Sequence, residues 1–246
     1  MTNNTNTPTV VLVHGGFADA SFWAPVIRRL QAAGLPVLAP PNPLRGLAVD
    51  AEYIASYVNQ LDGPVLLVGH SYGGAVISVA GAQADNVVGL VYVAAFILDD
   101  GESFGEIFAG FPPTPLGDAL RPGTYPVAGG GTAVELTIAP ELYRSAFAGD
   151  LSSEETEVLA VMQRPFASIF EERAQAAAWK SLPSWAVVAT ADNAIHPDAE
   201  RHMAQRAGSH TVEVDASHSI ALSQPGAVVE LIETAVASTS RVAAGT

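Results

Sequence analysis

A serine at the apex of a glycine-rich turn is the strongest chemical signal in this sequence. Residues 69–74, Gly-His-Ser-Tyr-Gly-Gly, follow the apolar run at 64–68, and small apolar residues come after Tyr72. This context predicts a buried strand that turns sharply into a buried helix and holds Ser71 in a strained conformation with its Oγ exposed. A G-x-S-x-G pattern also arises by chance in a chain with 22 glycines. The flanking strand and helix therefore carry the prediction that Ser71 is a nucleophile.

A serine nucleophile predicts a histidine further along the chain. The hydroxyl reacts only when a neighbouring base takes its proton, and reactive residues in open parallel sheets collect beyond the carboxyl ends of strands. His218 lies between the last predicted strand and the last predicted helix, where the base of a serine, acid, histidine order belongs. We predict that His218 is the base. The other histidines are predicted to be structural in their turns (His14 and His70) or surface residues (His196, His202 and His210).

The base requires an acid that orients its imidazole. Asp192 follows the predicted strand at 185–190 and lies between Ser71 and His218 in the sequence. Asp99 is the alternative, because it follows another predicted strand and could reach the same histidine from another side. Either aspartate could instead stabilise a turn, as aspartates at strand ends commonly do. The Ser, Asp, His order favours Asp192.

The negative charge that develops on a substrate oxygen requires two backbone N–H donors. One comes from the residue after the nucleophile and the other from the loop after the first strand. These positions assign Tyr72 and Gly16 to an oxyanion hole. Gly16 belongs to the segment His-Gly-Gly-Phe at 14–17, which by itself could be a simple turn. This chemistry requires no metal and no organic cofactor, and we expect none.

Strands and helices alternate on both sides of an irregular segment. The apolar runs that predict strands lie at 10–13, 35–39, 65–68, 87–94, 185–190 and 211–214, and further helices are predicted at 22–33, 49–61, 198–206 and 225–236. This alternation predicts an α/β fold with a mostly parallel central sheet and helices on both faces. We expect a single domain over residues 1–246.

An inserted cap is predicted at 97–164. Prolines and three consecutive glycines interrupt its short apolar stretches, so it is not one more strand and helix repeat. Its aromatic residues are too many to leave in water, which favours a lid of short helices over a loose loop. Five residues are predicted to contact the substrate: Phe17, Phe104, Phe108, Phe111 and Ser219.

Composition excludes several classes of partner. The net charge is −14, with 11 basic and 25 acidic residues and no basic cluster, so the electrostatic field would repel nucleic acid. The absence of cysteine excludes disulfides and thiolate chemistry. Neither a secretory signal nor an apolar run of about 18 residues is visible, so we expect a cytoplasmic protein without membrane contact. The sequence indicates no oligomeric state, and a homodimer is one alternative.

Six segments match the motifs of one enzyme superfamily. They are Val-Leu-Val-His-Gly-Gly at 11–16, Val-Gly-His-Ser-Tyr-Gly-Gly at 68–74, Val-Ala-Ala-Phe at 93–96, Arg-Pro at 164–165, Thr-Ala-Asp at 190–192 and Ala-Ser-His at 216–218. On these motifs the chain resembles the α/β-hydrolase superfamily, and within it the branch of plant-type methyl esterases and hydroxynitrile lyases with their small bacterial relatives. The resemblance implies catalytic Ser71, Asp192 and His218, with Gly16 and Tyr72 as oxyanion donors.

Two positions depart from the lyases of this branch. Those enzymes resemble the esterases but use a threonine just after the histidine of the oxyanion loop and a lysine just after the catalytic histidine to hold cyanide. Here these positions are Gly15 and Ser219, and the only lysine of the chain is Lys180, in a predicted surface helix. The resemblance therefore implies hydrolysis rather than cyanide release.

These observations together predict a hydrolase that cleaves small, uncharged carboxylic esters through an acyl-enzyme on Ser71. An acidic chain with an aromatic cap disfavours polyanionic substrates. Two alternatives stay open. The same three residues could run lactone or amide hydrolysis, perhydrolysis or a cofactor-free lyase reaction, and the fold could also serve a non-catalytic small-molecule binder.

Overall fold

The computed structural model describes residues 7–242 of the chain. The strands of this part are β1 (Thr9–Val13), β2 (Val37–Leu38), β3 (Val65–Ser71), β4 (Val87–Ala95), β5 (Leu120–Pro126), β6 (Thr132–Ile138), β7 (Phe166–Ala167), β8 (Ser184–Ala189) and β9 (His210–Val214). The α-helices are α1 (Ala24–Ala32), α2 (Leu47–Val58), α3 (Tyr72–Ala80), α4 (Phe104–Ala109), α5 (Pro115–Ala119), α6 (Pro140–Phe147), α7 (Ser153–Met162), α8 (Pro197–Arg206), α9 (Ile220–Ser223) and α10 (Pro225–Val242). Within residues 7–242, none of these helices combines the length and the apolar character that crossing a bilayer requires.

Six strands form the central sheet in the order β2-β1-β3-β4-β8-β9, and each neighbouring pair is parallel. Every residue of β3 and β8 is buried, because helices cover both faces of the sheet. The predicted α/β fold with a parallel central sheet is confirmed. Parallel strands bring their carboxyl ends to one edge, where β3 ends at Ser71 and β1 and β8 end three residues before Gly16 and Asp192.

Successive residues of β1 pack into different cores. Val11 lies in a core with residues of α2, α3 and α8, whereas Val10 and Leu12 lie in a second core with residues of α1, α9 and α10. Each fully buried aliphatic side chain contributes roughly 1.5–3 kcal/mol to the free energy of unfolding. The two cores therefore hold the strand ends in fixed positions.

Several predicted elements differ from the structure at their ends. The strand predicted at 35–39 is reduced to β2, whose two residues are only partly buried at the edge of the sheet. The helix predicted at 22–33 begins as a 3₁₀ helix at Ala20–Trp23, because Asp19 accepts a hydrogen bond from the backbone N–H of Ser21 at 2.7 Å and caps that turn. Pro25 then occupies the first turn of α1, where a missing N–H costs nothing.

The segment at 97–164 contains the four short helices α4 to α7 and also the hairpin β5–β6, to which β7 adds a third strand. The sequence of this segment predicts the short helices but not the hairpin, because its prolines and glycines indicate breaks. Pro122 and Pro126 lie in β5, which is an edge strand and tolerates proline. The three glycines at 129–131 have positive φ angles in the connecting turn, which glycine adopts without strain.

Candidate active site

Ser71 is the last residue of β3 and has a φ of 55° and a ψ of −125°. A positive φ is strained for a residue with a Cβ, so the surrounding turn must hold it. A Cβ on Gly69 would collide with the carbonyl oxygen of Gly73, and one on Gly15 would come within 2.6 Å of the Cβ of Ser71. The turn is thus the sharp strand-to-helix turn that the sequence predicts. Ser71 is only 8 % exposed, so the residue is less open than expected.

His218 and Asp192 form a buried pair. The Nδ1 of His218 lies 2.5 Å from the Oδ2 of Asp192. The other oxygen of Asp192 accepts hydrogen bonds from the backbone N–H groups of Ala194 at 2.6 Å and Ile195 at 2.9 Å. Within residues 7–242 the Nε2 of His218 is buried and has no hydrogen-bond partner. The acid therefore fixes one ring nitrogen and leaves the other available to take a proton.

Asp99 lies elsewhere. Its carboxylate forms an ion pair with Lys180 and accepts a hydrogen bond from the backbone N–H of Asp100 at 2.6 Å. Of the two aspartates that the sequence offers, the structure brings Asp192 and not Asp99 to the histidine.

His70 is buried in β3, next to Ser71, and His14 is buried directly after the end of β1. The Nε2 of His70 lies 2.9 Å from the carbonyl oxygen of His218, and its ring stacks on Phe22 at 4.3 Å between centroids. The Nε2 of His14 accepts a hydrogen bond from the backbone N–H of Asn42 at 2.9 Å. Burial lowers the pKa of His70 well below its ordinary value and that of His14 to about 4. Both rings are therefore neutral hydrogen-bonding groups near neutral pH.

The three histidines that are predicted to be surface residues lie on or near the surface. His202 and His210 are exposed. His196 precedes α8, where its Nδ1 accepts a hydrogen bond from the backbone N–H of Asp198 at 3.2 Å.

Gly16 and Tyr72 lie at the same end of the sheet. Tyr72 is the first residue of α3, so its backbone N–H has no acceptor within the helix. Its hydroxyl donates a hydrogen bond to Asp50 at 2.7 Å, which fixes the start of the helix. A Cβ on Gly16 would come within 2.7 Å of the ring of Phe166, so only glycine fits at this position.

Three aromatic rings pack beside these groups. Phe17, which has a positive φ of 60°, meets the rings of Phe147 and Phe166 edge-on at 6.2 and 5.6 Å. Phe147 also packs against the imidazole of His218 at 4.7 Å, and Phe166 against the ring of Tyr72 at 4.6 Å. These rings form an apolar wall next to His218 and Tyr72.

The other residues that are predicted to contact the substrate lie in different places. Phe104 and Phe108 both pack against Phe96, and Phe104 also lies 5.8 Å from the ring of Tyr72. Phe111 lies instead against the exposed His202. Ser219 is buried next to the base, where its Oγ donates a hydrogen bond to the carbonyl oxygen of Phe147 at 3.0 Å.

The sequence does not predict two groups that pack against the site, Asp150 and Phe166. Asp150 accepts hydrogen bonds from both the backbone N–H, at 3.0 Å, and the hydroxyl of Ser217, the residue before the base. Phe166 directly follows the Arg-Pro pair at 164–165, which is the nearest sequence signal for it. Nothing in the sequence around Asp150 indicates a contact with Ser217, which lies 67 positions further along the chain. Between residues 7 and 242, no three or more His, Asp or Glu side chains are grouped as a metal ion would require.

Comparisons with known proteins agree with this fold. No curated protein sequence matches the chain. Polyneuridine aldehyde esterase superposes with a TM-score of 0.80 at 21 % identity, over 93 % of this chain and 99 % of that one. A pyrethroid hydrolase from Sphingobium faniae JZ-2 gives 0.76 at 22 %, over 93 % and 97 %, and the methylesterase MES16 from Arabidopsis gives 0.74 at 19 %, over 94 % and 99 %. At these identities the likeness shows the fold.

The sequence model of the alpha/beta hydrolase family matches residues 10–231. This range includes β1 with its glycine loop, the turn at Ser71, and the segments that carry Asp192 and His218. The superfamily that the motifs predict is thereby confirmed. The chain belongs to the alpha/beta hydrolase family.

Proposed function

We propose that the protein is a serine hydrolase that cleaves small carboxylic esters through an acyl-enzyme on Ser71. One observation carries the proposal: His218, joined to Asp192 at 2.5 Å in a buried pair, is bonded through its backbone carbonyl to His70, the neighbour of a serine with a strained backbone. His70 connects the serine to the histidine–aspartate pair, because it precedes Ser71 in β3 and contacts the backbone of His218. Strain of this kind persists only where the surrounding structure enforces it, and it is common at nucleophiles.

The reaction has two halves. The Oγ of Ser71 attacks the acyl carbon while the Nε2 of His218 takes the hydroxyl proton, and Asp192 stabilises the imidazolium. The backbone N–H groups of Gly16 and Tyr72 donate to the oxyanion of the tetrahedral intermediate. His218 then protonates the leaving alcohol. Water attacks the acyl-enzyme in the second half, with His218 again as the base, and releases the acid and Ser71.

The surroundings of the site favour a small, uncharged substrate. The rings of Phe17, Phe147 and Phe166 offer apolar contact, and the net charge of −14 disfavours polyanions. The structural neighbours named as esterases and hydrolases support ester cleavage. A hydroxynitrile lyase needs a cationic side chain in its site to hold cyanide. Lys180, the only lysine of the chain, is exposed and paired with Asp99 instead.

A panel of p-nitrophenyl esters of increasing acyl length tests the proposal. The Ser71→Ala variant should stay folded and lose about 10³-fold or more in kcat/KM, because only the oxyanion hole and substrate binding are left. Ser184→Ala is the matched control, since both serines are 8 % exposed and the hydroxyl of Ser184 forms its hydrogen bond with Ser209, away from the site. A fluorophosphonate should label the wild type and the control at Ser71.

Three outcomes would contradict the proposal. A Ser71→Ala variant with an unchanged circular dichroism spectrum and most of the esterase activity would show that Ser71 is not the nucleophile. Cyanide release from mandelonitrile that depends on Ser71 would replace hydrolysis with lyase chemistry. Tight binding of esters by the wild type without turnover would identify a binder.

A further inference from the structure

Glu200 is a buried carboxyl group next to the acid of the site, and the proposed mechanism does not use it. It lies on α8 and is 2 % exposed. Its Oε2 accepts a hydrogen bond from the backbone N–H of Ala189 at 3.2 Å. Its Oε1 is buried and receives no hydrogen bond from any residue between 7 and 242. An ionised carboxylate with a bare oxygen in this setting would be costly.

Within residues 7–242 no cation forms an ion pair with Glu200, and the charge of Arg201 is the smallest of the influences on its pKa. Arg201, the next residue, points its guanidinium to Asp198 and to Glu213 of β9, both at 2.8 Å. On the side of β4, the hydroxyl of Tyr92 bonds to Ser78 at 2.8 Å, and burial raises the pKa of Tyr92, so the phenol is neutral. From β8 the backbone of Ala189 faces Glu200. The charge of Asp192 also acts on Glu200 and, unlike that of Arg201, it raises the pKa of Glu200.

Asp192 is well stabilised as the anion of the two. It accepts two backbone N–H groups and the imidazole N–H of His218, whereas Glu200 accepts one backbone N–H. Two buried carboxyl groups in contact cannot both ionise, so one keeps a proton. Burial, the charge of Asp192 and a side-chain hydrogen bond to Asp192 raise the pKa of Glu200 well above its ordinary value. The proton therefore belongs to Glu200.

We propose that Glu200 is a positioning residue that stays protonated and donates a hydrogen bond from its carboxyl group to the Asp192 carboxylate. This inference rests on the proposed function for its kinetic consequence, but the proton on Glu200 does not depend on turnover. The O–H group adds a further donor to those that orient Asp192. It also disperses the charge that Asp192 offers to His218, so removal of the donor should strengthen the hold of the pair on a proton.

Infrared spectroscopy detects the proton directly. A protonated carboxyl group has a carbonyl stretching band separate from those of carboxylates and amides. The wild type should show such a band near neutral pH, and Glu200→Gln should lose that intensity. Glu157→Gln, at an exposed glutamate of α7, is the matched control and should keep it. An unchanged band in Glu200→Gln would mean an ionised Glu200 and would overturn the inference.

Kinetics test the positioning role. Glu200→Gln retains an N–H donor, so kcat and the pH–rate profile should stay close to those of the wild type. Glu200→Leu retains the volume without the donor, so kcat should fall about tenfold and the acidic limb of the pH–rate profile should move to higher pH. A leucine variant with wild-type kcat and profile would overturn the positioning role. If the leucine variant does not fold, a glutamine variant with a displaced profile would overturn it instead.

The two proposals fail in different ways. If Ser71→Ala keeps the esterase activity, the nucleophile is wrong, while the infrared band still reports whether Glu200 holds a proton. If the band does not depend on Glu200, the serine mechanism is untouched.

Discussion

The Nε2 of His70 lies 2.9 Å from the backbone carbonyl oxygen of His218. A neutral imidazole has one N–H group, and this carbonyl assigns it to Nε2. The residue next to Ser71 therefore holds the backbone of His218, although 148 positions separate His70 from His218 in the chain. The ring itself is fixed by Phe22, on which it stacks. His70 thus connects Ser71, its neighbour in β3, to the backbone of His218.

His70→Leu tests this placement. Loss of the donor leaves a buried carbonyl unpaired at a cost of about 1–3 kcal/mol in the free energy of unfolding, and we expect kcat to fall about tenfold with little change in KM. His70→Gln offers an amide N–H and should recover part of kcat. The measurements are steady-state kinetics and urea unfolding of each variant. A leucine variant that is as active as the wild type would show that the base is held by other contacts.

Two aspartate variants separate the acids. Asp192→Asn should lower kcat by about 10³- to 10⁴-fold, because the amide favours the wrong imidazole tautomer. Asp99→Asn should change kcat little, since it removes a partly exposed ion pair with Lys180. Steady-state rates with one ester suffice. Equal losses in the two variants would move the orienting acid to Asp99.

Aromatic substitutions test the apolar wall. Phe166→Leu should raise KM several-fold and shift the preferred acyl length, because contacts made equally in the ground and transition states change binding. Phe111→Leu is the control, since that ring lies against the exposed His202. Neither variant should move the pH–rate profile. A larger change of substrate preference in Phe111→Leu than in Phe166→Leu would show that the apolar wall does not determine specificity.

The buried His14 predicts a loss of stability in mild acid. Its pKa falls from 6.5 in the unfolded chain to about 4 in the folded protein, so the folded protein binds fewer protons than the unfolded chain between these values. This contribution is complete above pH 6.5 and is lost as the pH falls through about 4. It amounts to at most about 3 kcal/mol in the free energy of unfolding.

His14→Gln isolates that contribution. The glutamine carbonyl can accept the hydrogen bond from Asn42 but does not titrate, so urea unfolding should show a weaker pH dependence between pH 6.5 and 4 than in the wild type. His202→Gln, at an exposed site, should behave as the wild type. Identical pH slopes for the wild type and His14→Gln would show that His14 is not the group concerned.

The sequence predicts the sheet well because its signals are local. Buried parallel strands appear as continuous apolar runs, and Ser71, Asp192 and His218 each lie just beyond such a run. Strand ends in a parallel sheet meet at one edge, so chain order alone could rank Asp192 above Asp99. Boundaries such as that of β2 depend on exposure at the sheet edge, which no local pattern reports.

The groups that support the site could not be predicted, because their contacts join distant parts of the chain. Asp150 bonds to a residue 67 positions away, and the ring of Phe166 reaches Gly16 from beyond the insert. Glu200 lies on a helix where a glutamate ordinarily indicates a solvated face. The hairpin β5–β6 could not be predicted because β5 contains prolines, which ordinarily argue against a strand and are tolerated only at the edge of a sheet.

The hydrogen bonds of Ser217 and Ser219 to residues 147–150 limit how this enzyme could be recombined with relatives. A chimera that exchanges residues 97–164 would replace Phe147, one ring of the apolar wall, together with Asp150, which anchors Ser217. Crossover points that retain residues 140–151 would keep both and would exchange α4, α5 and the hairpin β5–β6. The natural unit of exchange is therefore the N-terminal part of the insert, up to the end of β6.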